Sequence, residues 1–351
     1  MAEPVFINGR FLTQPLSGVQ RYAGEIVRAL DQRPDAADRY RLLLPKGARP
    51  PALERIPVSQ IGGAGSHLWE QTALAWAARR GVLLSLCGSG PLMHPRQVVV
   101  IHDAAVFRRP GHFRTGYALF HRAMGRALAR RARLATVSEF SRRELAVVLD
   151  TSAAKITVAP NGADHLARVA PDDAVIDRLG LRGLRYFVAL GNRAPNKNIG
   201  LIVRALARLP EADIRLVLIG GQSPVVFGHA GVTHDSRVML AGRCTDAETQ
   251  AVLQGACALV FPSLYEGFGI PPLEAFASDC PVIASDIPAV REVCADAALY
   301  IDPTDDAGLA AQMDAMLRGA APDLRHAGHA RAGAYRWERS AGILDALAAS
   351  I

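Results

Sequence analysis

The sequence is short of several things. Its five cysteines, Cys87, Cys244, Cys257, Cys280 and Cys294, are odd in number and scattered, with no CxxC pair. That pattern excludes a disulfide framework and a structural zinc site, and the thiols are expected to be buried and reduced. The longest apolar runs, such as 98–101 and 256–261, fall far below the roughly 18 residues that a spanning helix needs. The opening MAEPVFINGRFLTQ lacks a basic stretch followed by an apolar one, so no secretory signal is read and a cytoplasmic location is expected. No GxGxxG follows a strand with an acid some way beyond it, which disfavours a plain dinucleotide oxidoreductase. Gly 31 and Pro 22 among 351 residues are ordinary numbers and exclude a collagenous or low-complexity chain.

What is present points to a folded protein. Half the residues are hydrophobic and 21% are charged, too apolar for an intrinsically disordered chain. The length exceeds one compact core and suits two domains. The net charge of +7 is uneven: residues 1–180 carry +10 and the remainder −3. Arg122, Arg126 and Arg130 recur every fourth residue and share one helix face. Such a face suits an anionic partner. No aromatic-interleaved basic run, zinc finger or RNP-like signature accompanies it, so nucleic acid is not expected. An acidic membrane surface or a phosphate-bearing lipid fits better.

Short strand-like runs alternate with amphipathic segments. PVFIN (4–8), RYRLLLP, VVVIH (98–102), LATVS (134–138) and KITVAP read as strands in the first half. Helices are predicted at 18–30, 67–80, 115–131 and from Glu139, the last capped by Ser138. A polar, turn-rich stretch after residue 160 holds a linker, placed at 166–183. The alternation then restarts, with strands in RYFVALG, DIRLVLIGG, RVMLAG, ALVFPS, CPVIAS and ALYIDP. The organisation predicted is therefore an N-terminal Rossmann-like domain over 1–165, a second one over 184–336, and a terminal segment 337–351 that packs back on the first. Both domains are α/β, doubly wound, with parallel sheets, and the expected ligand site is the cleft between them.

The most informative stretch is FPSLYEGFGIPPLEAFA (261–277). A strand ends, a loop with two glycines follows, and a helix opens near Pro271 and Pro272, where a missing N–H costs nothing. Gly267 and Gly269 admit close backbone approach, and the helix start favours a phosphate. Glu266 and Glu274 flank this element as acceptors suited to hydroxyls. Downstream, Asp302, Asp305 and Asp306 in YIDPTDD read as a turn and a helix start rather than a metal triad.

This run resembles the E-x7-E signature of family-four glycosyltransferases, retaining enzymes of the two-domain GT-B fold. Other segments resemble that family's elements in order: SGVQRY (17–22), WEQ (69–71), VVVIHD (98–103), TVSEFSRRE (136–144), VAPNG (158–162) and ALGNRAPNKNI (189–199). The resemblance implies that Glu266 binds donor-sugar hydroxyls and that Phe268 and Gly269 offer backbone N–H groups. It implies that Glu274 holds the ribose, and that Lys197 and Arg193 stabilise the departing diphosphate. Gly18, Gly267, Ile270 and Cys244 complete the donor-binding set. It makes His102 a contact to the donor sugar and Asp103 an acceptor contact.

The reaction implied is transfer of a hexosyl group with retention, metal-independent and without a cofactor, from a nucleotide-sugar donor to a lipid-linked saccharide acceptor. SGVQRY, WEQ and the His-Asp strand end resemble the mannosyl- and rhamnosyltransferase branch of bacterial polysaccharide and lipopolysaccharide assembly, with GDP-mannose the first donor expected. A peripheral inner-membrane location would follow. Two alternatives stay open: a non-hydrolysing sugar-nucleotide epimerase of the same architecture, and a non-catalytic assembly partner that kept the fold.

Overall fold

The computed structural model describes residues 3–191, 194–221 and 235–351. The chain divides into two compact units: residues 1–161 with 336–351, and residues 162–335.

The first unit is built on a seven-stranded parallel sheet. Its strands are β1 (Val5–Asn8), β2 (Tyr40–Pro45), β3 (Val58–Ile61), β4 (Val82–Ser85), β5 (Gln97–Val100), β6 (Arg133–Thr136) and β7 (Ile156–Val158). They lie in the order β3-β2-β1-β4-β5-β6-β7, every neighbouring pair parallel. The chain begins at β1, winds outward to β3, then returns to β4 and winds the other way. Strand order thus reverses between β1 and β4, the place where doubly wound sheets bind ligands.

Two of these strands, β3 and β4, are absent from the sequence reading. β3 is a short edge strand whose Ser59 and Gln60 are exposed, so it carries no apolar signal. β4 is four fully buried residues following closely on a helix, and such a run is not separable from a helix end by periodicity. The predicted 67–80 helix is also broken. It runs as Ser66-capped His67–Trp69, a π-helical turn Glu70–Leu74 and a short Ala75–Ala77 piece. A π turn inserts a residue and re-aims its neighbours; here Glu70 is turned wholly inward.

Helices cover the sheet. The 14-residue helix Gly18–Asp31 buries Tyr22, Ile26, Val27 and Leu30. Thr115–Ala129 and Glu139–Val148 pack Met124, Leu128 and Leu145 against Val99, Leu134 and Ile156. Ser138 caps the second of these, its Oγ accepting from Ser141 N at 2.9 Å. The last helix, Trp337–Ala349, lies against Gly18–Asp31. Trp337 meets Tyr22 edge-on at 5.8 Å, and Asp345 accepts from Arg39 and the Tyr40 hydroxyl, both at 2.6 Å.

The arginine face is less free than its spacing suggests. Arg122 donates to the carbonyls of Val106 at 2.7 Å and Phe107 at 3.3 Å, and the Arg126 guanidinium sits 5.3 Å from the Phe107 ring centre. Arg122 ties the helix to its neighbour, and Arg126 lies over the same segment while staying exposed.

The second unit carries six parallel strands: β8 (Tyr186–Leu190), β9 (Arg215–Ile219), β10 (Val238–Gly242), β11 (Ala258–Phe261), β12 (Val282–Ser285) and β13 (Leu299–Ile301). Their order is β10-β9-β8-β11-β12-β13, so the reversal falls between β8 and β11. The core joins Phe187, Ile202, Leu206, Leu216, Val260 and Ile283. Residues 166–183 lie inside this unit: the helix Ala174–Arg178 packs on Asp246–Gly255, with Arg178 paired to Glu248. The chain passes between units at 161/162 and 335/336 instead.

Candidate functional site

The strand reversal of the second unit sets the site. β8 ends at Leu190 and β11 at Phe261, and the loops beyond them are tied together. Leu264 N donates to Asn196 O at 2.8 Å, and Asn198 Nδ2 donates to Pro262 O at 3.1 Å and Pro303 O at 2.7 Å. Asn198 has a left-handed backbone, φ 52°, that ends the 3-10 turn Pro195–Lys197 and opens the helix Ile199–Arg208. Asparagine tolerates that conformation better than most residues.

The turn delivers Lys197 to Glu266. Nζ lies 2.6 Å from Oε1, the two side chains are 18% and 13% exposed, and the ammonium sits 5.3 Å from the Phe261 ring centre. An ammonium has three donors, and Glu266 engages one of them. Lys197 stands out in composition as well: the chain has three lysines against 37 arginines.

The floor beside this pair is made of glycines. β8, β9 and β10 are neighbours, and the glycines Gly191, Gly220 and Gly242 at their carboxyl ends all have positive φ, at 132°, 146° and 72°. Backbone bonds knit them, Gly191 N to Ile219 O at 3.0 Å and Gly220 N to Gly242 O at 2.7 Å. Arg243 follows, exposed, its guanidinium placed over Gly221. Glycine at three adjacent strand ends leaves room for a ligand to approach backbone N–H groups.

Gly269, with φ 108°, makes the entry to the helix Ile270–Ala277, whose first turn carries Pro271 and Pro272. Gly267, Phe268, Gly269 and Ile270 are buried, and Phe268 meets Tyr335 edge-on at 5.4 Å. Glu274 is buried too. Its Oε1 accepts from His165 Nε2 at 3.1 Å, and Ser278 Oγ donates to its carbonyl at 2.9 Å. Sequence reasoning missed His165, 109 residues earlier and also buried. The two carboxylates of the spacing therefore have different cationic or proton-donating partners, Lys197 for one and His165 for the other.

Not every predicted residue joins this group. The Cys244 thiol has Arg178 and Glu248 as neighbours, and burial pushes it up. The physical reason is the next residue: Thr245 opens the helix Asp246–Gly255 with a capping box, which turns Cys244 toward that helix start. Arg193 lies outside the described residues. Asp302, Asp305 and Asp306 have local roles. Asp302 accepts from Thr304, Asp305 caps the helix Asp306–Leu317 through Gly308 N at 2.9 Å, and Asp306 pairs with Arg208 at 2.6 Å.

The first unit holds the remaining predicted residues. Gly18 is exposed at the first position of its helix. His102 sits two residues past β5. Its Nε2 donates to Leu86 O at 2.8 Å, and its ring stands edge-on to Tyr22 at 4.8 Å. Burial lowers its pKa to about 4, so the ring is neutral near pH 7 and Nδ1 is its acceptor. Asp103 Oδ1 accepts from Ala105 N at 2.7 Å.

Around this unit's own reversal lies a cluster that the sequence did not reveal. Glu70 Oε1 accepts from Asn8 Nδ2 at 2.8 Å and Ser89 Oγ at 2.9 Å and lies 3.0 Å from Arg10 Nε; Oε2 accepts from His67 Nδ1 at 2.9 Å. Burial alone pushes this carboxyl up, but His67, Arg10, Asn8 and Ser89 together hold it below the usual range. The WEQ segment marks Glu70 in the sequence; the π turn that aims it leaves no sequence signal.

Comparison with known proteins bears on the fold and the family likeness. Residues 185–319 match the family model described as glycosyl transferases group 1. The chain is 28% identical to the O-antigen chain mannosyltransferase RfbU of Salmonella typhimurium over 62% of its own length and 59% of that protein. It is 27% identical to O-antigen chain mannosyltransferase B of Escherichia coli over 83% of itself and 84% of that protein. Among solved structures, HepE of Anabaena in complex with UDP and glucose matches with a TM-score of 0.76 at 16% identity, over the whole of both chains. WaaG, a glycosyltransferase involved in lipopolysaccharide biosynthesis, matches with a TM-score of 0.66 at 18% identity over 93% of each. At such identities the structures speak to fold alone. Residues 185–319 thus resemble a glycosyltransferase group 1 domain, and the two parallel sheets have the GT-B fold.

Proposed function

We propose that the protein is a retaining glycosyltransferase that moves a hexosyl group, first of all mannose from GDP-mannose, to a hydroxyl of a lipid-linked saccharide in bacterial polysaccharide assembly. The observation that carries this reading is the Lys197–Glu266 contact at the strand reversal of the second unit, beside three glycine-ended strands. The mannosyltransferase names of the two relatives support the choice of sugar.

In this reading the diphosphate lies over the glycine floor. Lys197 keeps its bond to Glu266 and directs its other donors at phosphate oxygens, and Arg243 adds a second cation. Glu266 accepts from sugar hydroxyls, and the backbone N–H groups of 267–269 face the donor. Glu274, held by His165, accepts from the ribose hydroxyls. His102 offers neutral Nδ1 to a hydroxyl, and Asp103 contacts the acceptor.

The acceptor oxygen bonds to the anomeric carbon on the face from which the diphosphate leaves. The bond from that carbon to the phosphate oxygen breaks, and the acceptor proton passes to the departing diphosphate. The protein orients the two substrates and stabilises the charge that grows on the leaving group. Neither carboxylate acts as a nucleophile, unlike the pair in a retaining glycosidase.

The test is an assay of released nucleoside diphosphate over a panel of nucleotide sugars, with the anomeric configuration of the product read by NMR. GDP-mannose should give the highest turnover, with retained configuration. An inverted product, or epimerisation of the donor alone, overturns the reading.

A further inference from the structure

Helix Thr115–Ala129 begins with an aromatic surface beside the buried Arg10–Glu70 pair of the first unit. The His67 ring lies 4.7 Å from Phe120 and 5.5 Å from His121, and His121 lies 4.1 Å from Tyr117. Tyr117 and Phe120 are 51% and 42% exposed, although both are large apolar residues. These rings are anchored from beneath, because Glu70 fixes His67 through Nδ1 and so leaves Nε2 the acceptor in the neutral ring. The cluster gathers residues from beyond β1 and β4, the two strands between which the sheet order reverses.

Its electrostatics are distinctive. Arg10 and Asp103 act on Tyr117, and His67, Arg10 and Glu70 act on His121. Arg10 is already engaged by Glu70 at 3.0 Å and by Ser89 Oγ at 2.9 Å. Burial and the neighbouring His67 lower the His121 pKa to about 4, so that ring adds no positive charge near neutrality. Arg10, the cation beneath the rings, is therefore held by its own partners rather than turned to a ligand. An uncharged ring with an apolar face and hydroxyl edges would find stacking surfaces and hydrogen-bond acceptors together.

We propose that His67, Tyr117, Phe120 and His121 form a subsite for an uncharged pyranose ring of the acceptor, stacked on the aromatic surface with Asp103 accepting from a hydroxyl. The Arg10–Glu70 pair is a positioning device for it. This rests on the glycosyltransferase reading and narrows its acceptor: a neutral sugar, not the lipid phosphate, is held here.

The test uses the full chain and saturation-transfer NMR. The probes are the methyl glycosides of mannose, rhamnose, galactose and glucose, with mannose 6-phosphate as the charged counterpart. At least one neutral glycoside should receive saturation on its ring C–H protons, and mannose 6-phosphate should bind more weakly than methyl mannoside. Tyr117→Ala and Phe120→Ala, both at exposed positions, should each weaken binding about three- to tenfold. GDP and GDP-mannose should shift the melting temperature of both variants as they do the parent. Glycoside binding unchanged in both variants, preference for the phosphorylated sugar, or no glycoside bound while GDP still stabilises the protein each overturn the subsite and leave the donor reading standing. Loss of GDP-mannose stabilisation with GDP stabilisation kept would give the ring to the donor, and also overturns it. If neither GDP nor UDP nor their sugars stabilise the parent protein, the donor reading itself fails.

Discussion

Each unit has a Lys- or Arg-to-Glu pair at the place where its strand order reverses, and the two pairs are built differently. Arg10–Glu70 in the first unit is sealed: the Glu70 side chain is 1% exposed and receives from four residues. Lys197–Glu266 in the second unit is less fully closed, at 18% and 13% exposure, and a flexible ammonium meets one oxygen beside a floor of glycines. A saturated buried pair fixes geometry; breaking it strands a charge. A partly exposed pair with donors in reserve can share itself with a ligand. In the proposed reading the first serves as a scaffold for the rings above it, and the second as the donor site.

That contrast is open to a double dissociation. Lys197→Ala should lower kcat/KM of transfer about a hundred- to a thousandfold, as removal of a donor to developing negative charge does elsewhere. Its folding stability should change less than when the sealed pair is broken, because Glu266 keeps some contact with water. Urea denaturation of the same sample checks the second half. Glu70→Ala should do the reverse in emphasis. It should cost about 3–5 kcal/mol of stability in urea, because Arg10 is left buried without its partner. A Glu70 variant as stable as the parent would erase the distinction between the two pairs.

A smaller effect sharpens the second site. His165→Ala removes the donor to Glu274 at 3.1 Å, so the KM for donor should rise about tenfold while kcat changes less. A loss confined to kcat would separate Glu274 from ground-state donor binding.

The first unit also has a pH signature. In the unfolded chain His102 and His121 take up protons below about pH 6.5, whereas in the folded chain they do so only near pH 4. The unfolded state therefore binds more protons across that window. Stability is full above about 6.5 and declines as the pH falls toward 4. Urea midpoints measured between pH 7 and 4 should show the decline, and His121→Gln should make it shallower. The smallest effect is at Gly269: Ala there must adopt φ 108°, which should cost about 1–2 kcal/mol.

The sequence disclosed the parts whose signal is local. Alternating apolar runs gave eleven strands close to their observed bounds, and the glycines and prolines of 267–272 marked the loop-to-helix turn. It did not disclose what depends on distant pairing. β3 has no apolar face to betray it, and β4 follows so closely on a helix that its apolar run merges with the helix end. His165 meets Glu274 across 109 residues, and Arg10 meets Glu70 only because a π turn re-aims the glutamate. The misplaced boundary has the same origin: 166–183 is polar and turn-rich, yet it packs within the second unit through Ala174–Arg178. Cys244 shows the converse, a residue next to a true strand end that its helix cap turns elsewhere.

Titration calorimetry of GDP and UDP against the parent chain and Lys197→Ala tests the central claim most directly. A charge-assisted bond from Lys197 to the diphosphate predicts an affinity about ten- to a hundredfold weaker in the variant for whichever nucleotide binds better. Equal affinity in the two proteins would contradict it.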